Sequence, residues 1–244
     1  MTQTKHHIGL IVPPQTGAVP PEAPWMYPDV SFAARGLGLR QMSAEGYAGV
    51  LDRIVPAAQS MVDEGAEAIC VMGTSLSFFR GRAFDEDLSA RITRETGRPA
   101  TTMAQSIVAG ILACGMTRVA VMTAYRKDVN DLLRAYLEEA GITVAALGAL
   151  DIRDVNEVEG VAPEVIKQLG HEVFDQAEGA EGLLISCGGL RVQHVTPDLR
   201  SDLGCPVVSS AEAGLWGAVR LVSEANARQP SAVFGPVATK AQDV

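Results

Sequence analysis

The sequence predicts an α/β fold of two pseudo-symmetric lobes, each a mainly parallel sheet flanked by helices, with a ligand site at the lobe interface. Three observations predict it. Short, continuously apolar runs recur along the chain, amphipathic stretches of helical period lie between them, and the second half repeats the pattern of the first. Strands that are covered by helices on both faces read as continuous apolar runs, which is the signature of a parallel sheet. At 244 residues, 47% of them hydrophobic, the chain is long enough to bury the core of one large domain or two small lobes.

Buried strands are read at Ile8 to Val12, Ala68 to Met72, Val119 to Met122, Val144 to Leu147, Gly182 to Ser186 and Pro206 to Val208. Between the first two, apolar residues at Tyr47, Val50, Leu51, Ile54, Ala58, Met61 and Val62 follow a 3.6-residue period and predict one helix, with Ser43 placed to cap it. Val129, Leu132, Leu133, Tyr136 and Leu137 predict a second helix, ended by Gly141. Thr196-Pro197 opens a third, with Thr as the cap and Pro at the first helical position.

The duplication appears when the chain is laid over itself. Residues Ala68 to Leu76 fall on Gly182 to Leu190, so that Gly73 falls on Cys187. Gly97 to Thr102 falls on Gly204 to Ser209, and in each half an apolar helix follows, Ile107 to Leu112 and Leu215 to Leu221. Ile8 to Pro14 falls on Val119 to Tyr125. The lobes are read as 1–116 plus 209–244, and 117–208.

The net charge of -9 argues against a nucleic-acid or anionic-membrane partner, because either polyanion would be repelled by the summed field. No apolar run approaches the ~18 residues of a membrane span. The start, Met1 to His7, lacks the apolar stretch of a secretory signal, so a cytoplasmic location is expected. A monomer is the expected assembly. Cys70, Cys114, Cys187 and Cys205 form no Cys-x-x-Cys pair and have no His at ligand spacing. Free thiols and no metal are expected.

Ligands of open α/β sheets bind beyond the carboxyl ends of the strands. Two facing lobes would therefore enclose a site lined by Pro13-Pro14, Gly73-Thr74-Ser75, Thr123-Ala124-Tyr125 and Cys187-Gly188-Gly189. Paired glycines let the backbone approach a ligand with its N–H groups turned inward. Thr74, Ser75 and Tyr125 add hydroxyl donors, making a cradle for one carboxylate without Lys or Arg. Thr74 and Ser75 are also read as caps of the helix that follows them. A thiol beside such a cradle serves as nucleophile or as proton donor. His194 is the His nearest in sequence and reads as a partly exposed residue at a helix front, so proton transfer is favoured for Cys187. Cys70, inside a strand, reads as a small buried residue, as do Cys114 and Cys205 at strand ends.

Several segments together resemble the arylmalonate decarboxylases of the aspartate/glutamate racemase superfamily, along essentially the whole chain. They are Ile11-Val12-Pro13-Pro14, Gly36 to Leu39, Glu45-Gly46-Tyr47, Met72 to Phe78, Thr123-Ala124-Tyr125 with Asp128-Val129-Asn130, Leu184 to Leu190, and Pro206 to Ser210. Racemases of that superfamily carry one cysteine per lobe, and here the first-lobe position is Gly73. The resemblance implies loss of CO2 from a disubstituted aryl or vinyl malonate to an enediolate, protonated on one face by Cys187, with no cofactor. It places the retained carboxylate on Thr74, Ser75, Tyr125 and the amides of Cys187 and Gly188. It sets the departing carboxylate against an apolar wall of Leu39, Met42, Tyr47, Leu76, Val155 and Val158. Pro13, Pro14 and Gly189 would border the aryl group, and the implied partner is a small dicarboxylate substrate. Met42 is bulkier than the small apolar residue expected on that wall. A racemase or isomerase of a small carboxylate, and a non-catalytic carboxylate-binding protein, are the alternatives. The single strand-end cysteine weighs against the first.

Overall fold

The computed structural model describes residues 6–224 and 227–236. The outermost ends of the first lobe as read from sequence, 1–5 and 237–244, lie outside the described residues. Within them the chain forms two four-stranded parallel sheets of identical strand order. The first contains β1 (His7–Val12), β2 (Ser31–Gly36), β3 (Ala68–Val71) and β4 (Ala100–Thr102), in the order β2-β1-β3-β4. The second contains β5 (Arg118–Thr123), β6 (Thr143–Ala149), β7 (Leu183–Ser186) and β8 (Val207–Ser209), in the order β6-β5-β7-β8. The pairs β1 with β5, β3 with β7 and β4 with β8 are those matched by the duplication in the sequence, and the structure adds β2 with β6. β3 and β7, which lead to Gly73 and Cys187, are each paired on both sides.

Five of the six apolar runs match their strands within a residue or so, and Val144 to Leu147 proves to be the middle of a longer strand, β6. Two strands were not read. β2 is an edge strand, half-buried along its length, whose Ser-Phe-Ala-Ala-Arg-Gly sequence carries no continuous apolar run. β4 is three residues long, too short for any periodicity to show.

The helix expected across Tyr47 to Val62 is broken into α2 (Ala44–Ala48), a 3₁₀ turn (Leu51–Arg53) and α3 (Ile54–Asp63). Gly46 and Gly49 lower helix propensity in the first part. Pro56 has no N–H to continue an α-helical ladder from further upstream. Ser43 does cap α2, its Oγ accepting from Gly46 N at 3.2 Å. The second predicted helix is α7 (Lys127–Glu139), followed by Gly141 at φ +77°. The third, α9 (Val195–Leu203), starts two residues earlier than read, with His194 at the cap position. Thr196 lies in its first turn instead, because its hydroxyl donates to the Glu212 carboxylate at 2.9 Å.

The apolar helices after β4 and β8 are α6 (Met103–Ala113) and α10 (Ser210–Val222). Each is capped the same way, Thr102 accepting from Gln105 N and Ser209 accepting from Glu212 N. Having left the second sheet, α10 packs on α6 and β3 of the first. Two shorter connections matter for the site. α4 (Thr74–Phe78) and α5 (Arg82–Thr96) follow β3, and a 3₁₀ turn at Val158–Gly160 follows β6 ahead of α8 (Pro163–Gln176). Among the described residues no helix is long and apolar enough to cross a membrane.

Candidate active site

The carboxyl ends of β1, β3, β5 and β7 open into one cavity between the sheets. Pro13, Pro14, Leu39, Met42, Gly73, Thr74, Ser75, Tyr125, Val155, Val158, Cys187, Gly188 and Gly189 line it. Tyr47 and Leu76, expected on the apolar wall, are not among the lining residues and stand behind it, fully buried. Leu76 packs beneath Gly73, where a side chain on that glycine would meet its Cβ at 3.1 Å. The Tyr47 ring lies against Phe79, centroids 5.1 Å apart, and its hydroxyl faces Ser75.

Thr74 and Ser75 form the first turn of α4, and neither side chain caps it; Gly73 occupies the cap position. The capping expected of them is absent because Thr74 Oγ1 instead donates to Met103 Sδ at 2.8 Å. Thr74, Ser75 and Met103 all line the cavity, so the Thr74 hydroxyl reaches a ligand there by rotating away from a weak thioether acceptor. Tyr125 follows β5 and is held by its backbone: its N–H donates to Thr123 Oγ1 at 3.2 Å and its carbonyl accepts from Asn130 Nδ2 at 3.1 Å. Thr123 in turn donates to Asn130 Oδ1 at 2.7 Å, so α7 fixes the strand end that carries the phenol.

The Tyr125 hydroxyl is buried without a hydrogen-bond partner, as are those of Tyr47 and Ser186. Burial drives the Tyr125 phenol well above its ordinary pKa, so it is neutral and a donor. It faces Cys187, Ser186 and Thr74. A buried donor left unpaired costs roughly 1–3 kcal/mol, which an acceptor entering the cavity recovers. A carboxylate is such an acceptor.

Cys187 is 8% exposed, and burial pushes its thiol up to about 11, although the Gly189 N–H, the Tyr125 hydroxyl and the Leu190 N–H lie near enough to oppose the rise. At neutral pH the group is a thiol, suited to giving a proton rather than to attacking as a thiolate. The Cys187 N–H donates to Ser210 Oγ at 3.1 Å. That amide is therefore taken, and of the two amides expected to hold the carboxylate only that of Gly188 is left to do so. A side chain at Gly188 would approach Met103 Cε to 2.8 Å and displace the end of that flexible side chain within the cavity. Cys70 is a buried residue of β3, as expected. Cys114 and Cys205 are not at strand ends: Cys114 is buried at the end of α6, and Cys205 is half-buried just before β8. His194 is exposed at the front of α9.

The apolar wall is a contact between segments more than a hundred residues apart. Gln41 and Asp154 form an antiparallel bridge, flanked by Met42 N to Arg153 O at 3.1 Å and Val155 N to Arg40 O at 3.2 Å. This pairing brings Leu39 and Met42 beside Val155 and Val158. The cavity also includes residues not singled out from sequence, notably Met72, Met103, Thr16, Val19, Glu159 and Arg191. Met103 opens an ordinary apolar helix, and Arg191 and Glu159 sit in irregular segments, so no periodicity or motif marks them. Among the described residues no group of three or more His, Cys, Asp or Glu converges as metal ligands do.

The family model for arylmalonate decarboxylase matches residues 8–234. The arylmalonate decarboxylase of Bordetella bronchiseptica is 42% identical over 214 residues, 88% of this chain and 89% of that protein. The maleate isomerase of Nocardia farcinica is 26% identical over 224 residues, 87% and 88% of the two chains. A crystal structure of a doubly substituted arylmalonate decarboxylase in its liganded form superposes with a TM-score of 0.89 at 39% identity, covering 91% of this chain and 94% of that one. With the same two sheets and a match along nearly its whole length, this chain belongs to the arylmalonate decarboxylase family and is an enzyme of the carboxy-lyase type.

Proposed function

We infer that this enzyme decarboxylates disubstituted malonates bearing an aryl or vinyl group to chiral 2-substituted acids, without a cofactor. The observation that carries this reading is a single neutral thiol, Cys187, at the position Gly73 holds in the other sheet, in a cavity floored by uncharged donors. The retained carboxylate accepts from the hydroxyls of Thr74, Ser75 and Tyr125 and from the Gly188 amide. The departing carboxylate lies against Leu39, Met42, Val155 and Val158, where poor solvation favours its release as neutral CO2. Its bond to the α-carbon breaks, and the electron pair moves into the retained carboxylate, forming an enediolate. The donors of the cradle bind that enediolate more strongly than the ground state, because charge accumulates on its oxygens. Cys187 then gives its proton to the α-carbon, and the thiolate is reprotonated from water. With a proton source on one face, one enantiomer forms.

Proton NMR in deuterated buffer with 2-methyl-2-phenylmalonate tests this directly. Loss of substrate with one deuterium at the α-carbon of an optically active product is expected. A Cys187→Ala protein that formed optically active product at the native rate would overturn the reading.

A further inference from the structure

The two ends of the cavity differ in charge. At its floor Thr74, Ser75, Tyr125 and Cys187 are buried and neutral, whereas at its mouth Thr16, Ala18 and Glu159 are exposed. Among the described residues lining the cavity, only Glu159 and Arg191 carry charge. They are joined by one hydrogen bond, Arg191 Nη2 to Glu159 Oε2 at 2.8 Å. The side chains are 42% and 48% exposed, so the pair is screened by solvent, contributes little to stability and exchanges partners readily.

Their position relative to the rest of the wall follows from the chain. Arg191 lies two residues beyond Gly189. Glu159 follows Val158, whose Cγ1 a side chain on Gly189 would meet at 3.1 Å. The pair therefore stands at the outer end of the wall that Gly189 forms with Pro13 and Pro14. On the decarboxylase reading, on which this inference rests, one carboxylate occupies the floor and the other faces the apolar wall. The larger substituent then has one direction left, past Pro13, Pro14 and Gly189 towards the mouth. Directed that way, its far end approaches Glu159 and Arg191, which line the same cavity.

An isolated guanidinium would select an anion there, but the Glu159 carboxylate repels one. Side by side, the two offer a charged donor and a charged acceptor, the complement of a group that accepts one hydrogen bond and gives one. A hydroxyl does both. We propose that Arg191 and Glu159 recognise a hydroxyl at the far end of the larger substituent, which makes hydroxyaryl malonates the preferred substrate class.

The test is a ratio of kcat/KM values. For the native enzyme, 2-methyl-2-(4-hydroxyphenyl)malonate is expected to exceed its 4-methoxy analogue, which accepts but cannot donate, by about tenfold, a modest charged hydrogen bond's worth. The methoxy compound is the reference because a para oxygen donates electrons to the ring and slows enediolate formation relative to unsubstituted phenyl. In Arg191→Leu, and separately in Glu159→Ala, the hydroxyphenyl-to-methoxyphenyl ratio should collapse towards one, and a fold defect alone would not move a ratio. A native ratio near one, or an unchanged ratio in both variants, overturns the proposal while leaving the decarboxylase reading in place. If the native enzyme releases no CO2 from either compound, the decarboxylase reading fails and this one falls with it.

Discussion

The backbone N–H of Cys187 donates to Ser210 Oγ over 3.1 Å, tying the thiol-bearing loop after β7 to the first turn of α10. Ser210 is buried, and α10 also packs against β3, the strand that leads to Gly73 and Thr74. One hydroxyl thus registers the proton donor against the element that underlies the opposite half of the cradle.

Ser210→Ala leaves the Cys187 amide buried and unpaired, so a stability loss of about 1–3 kcal/mol is expected in urea unfolding. The loop should also lose its register, lowering kcat by roughly tenfold or more, because small misplacement of a reacting group is costly. Ser210→Thr keeps the acceptor and should recover part of the rate if the added methyl group fits. Native kcat in Ser210→Ala would show that the tether does not position the thiol.

The thiol's pH behaviour follows from its burial. An ordinary thiol, near 9, would lose its proton in mildly alkaline buffer, whereas Cys187 is pushed up to about 11. The protonated, donating form should persist, so kcat should show no alkaline fall up to about pH 9.5. Alkylation by iodoacetamide at pH 7.5 should be correspondingly slow. A kcat limb falling below pH 8 would contradict this environment for the sulfur.

Gly73→Cys places a second thiol at the equivalent position of the first sheet. Its Cβ would meet Pro13 Cγ at 3.0 Å and Leu76 Cβ at 3.1 Å, contacts that a few tenths of an ångström of movement relieve. The variant should fold, at a cost of about 1–3 kcal/mol. With donors on both faces it should racemise 2-arylpropionates, read by chiral chromatography. Unchanged optical purity after long incubation would count against protonation from opposite faces.

Asp85 of α5 is fully buried and accepts from the Tyr136 hydroxyl of α7 at 2.6 Å, linking helices from the two halves of the chain. Burial raises its carboxyl from 3.8 to about 6, opposed by the Tyr136 and Thr102 hydroxyls. A folded-state value above the unfolded one means a stability contribution that is complete below about pH 4 and lost as pH rises through 6. Asp85→Asn keeps an acceptor for Tyr136 and removes the ionisation cost. It should be more stable than native by about 1–3 kcal/mol at pH 8, with the difference shrinking towards pH 4.5. Urea midpoints at the two pH values measure it, and a pH-independent difference would refute the cause.

Much of this protein is legible in one dimension. The apolar runs that became β1, β3, β5, β7 and β8 are local signals, because a strand covered on both faces must be apolar at every position. Laying the halves over each other pairs Gly73 with Cys187, since a duplicated fold keeps equivalent positions at equivalent strand ends. Other features depend on what the chain meets far away. The half-buried edge strand β2 carries no apolar run, and the bridge between Gln41 and Asp154 that builds the wall joins segments with no shared pattern. Whether Leu76 lines the cavity or backs it, and whether the Cys187 amide is free or bound to Ser210, is decided by packing angles and by hydroxyls distant in sequence. Sequence alone determined which chemical groups the strand ends carry. Only the tertiary structure decided which of their hydrogen bonds were already used, and that among the described residues charge at the cavity is confined to Glu159 and Arg191 at its mouth, because both are consequences of long-range contact.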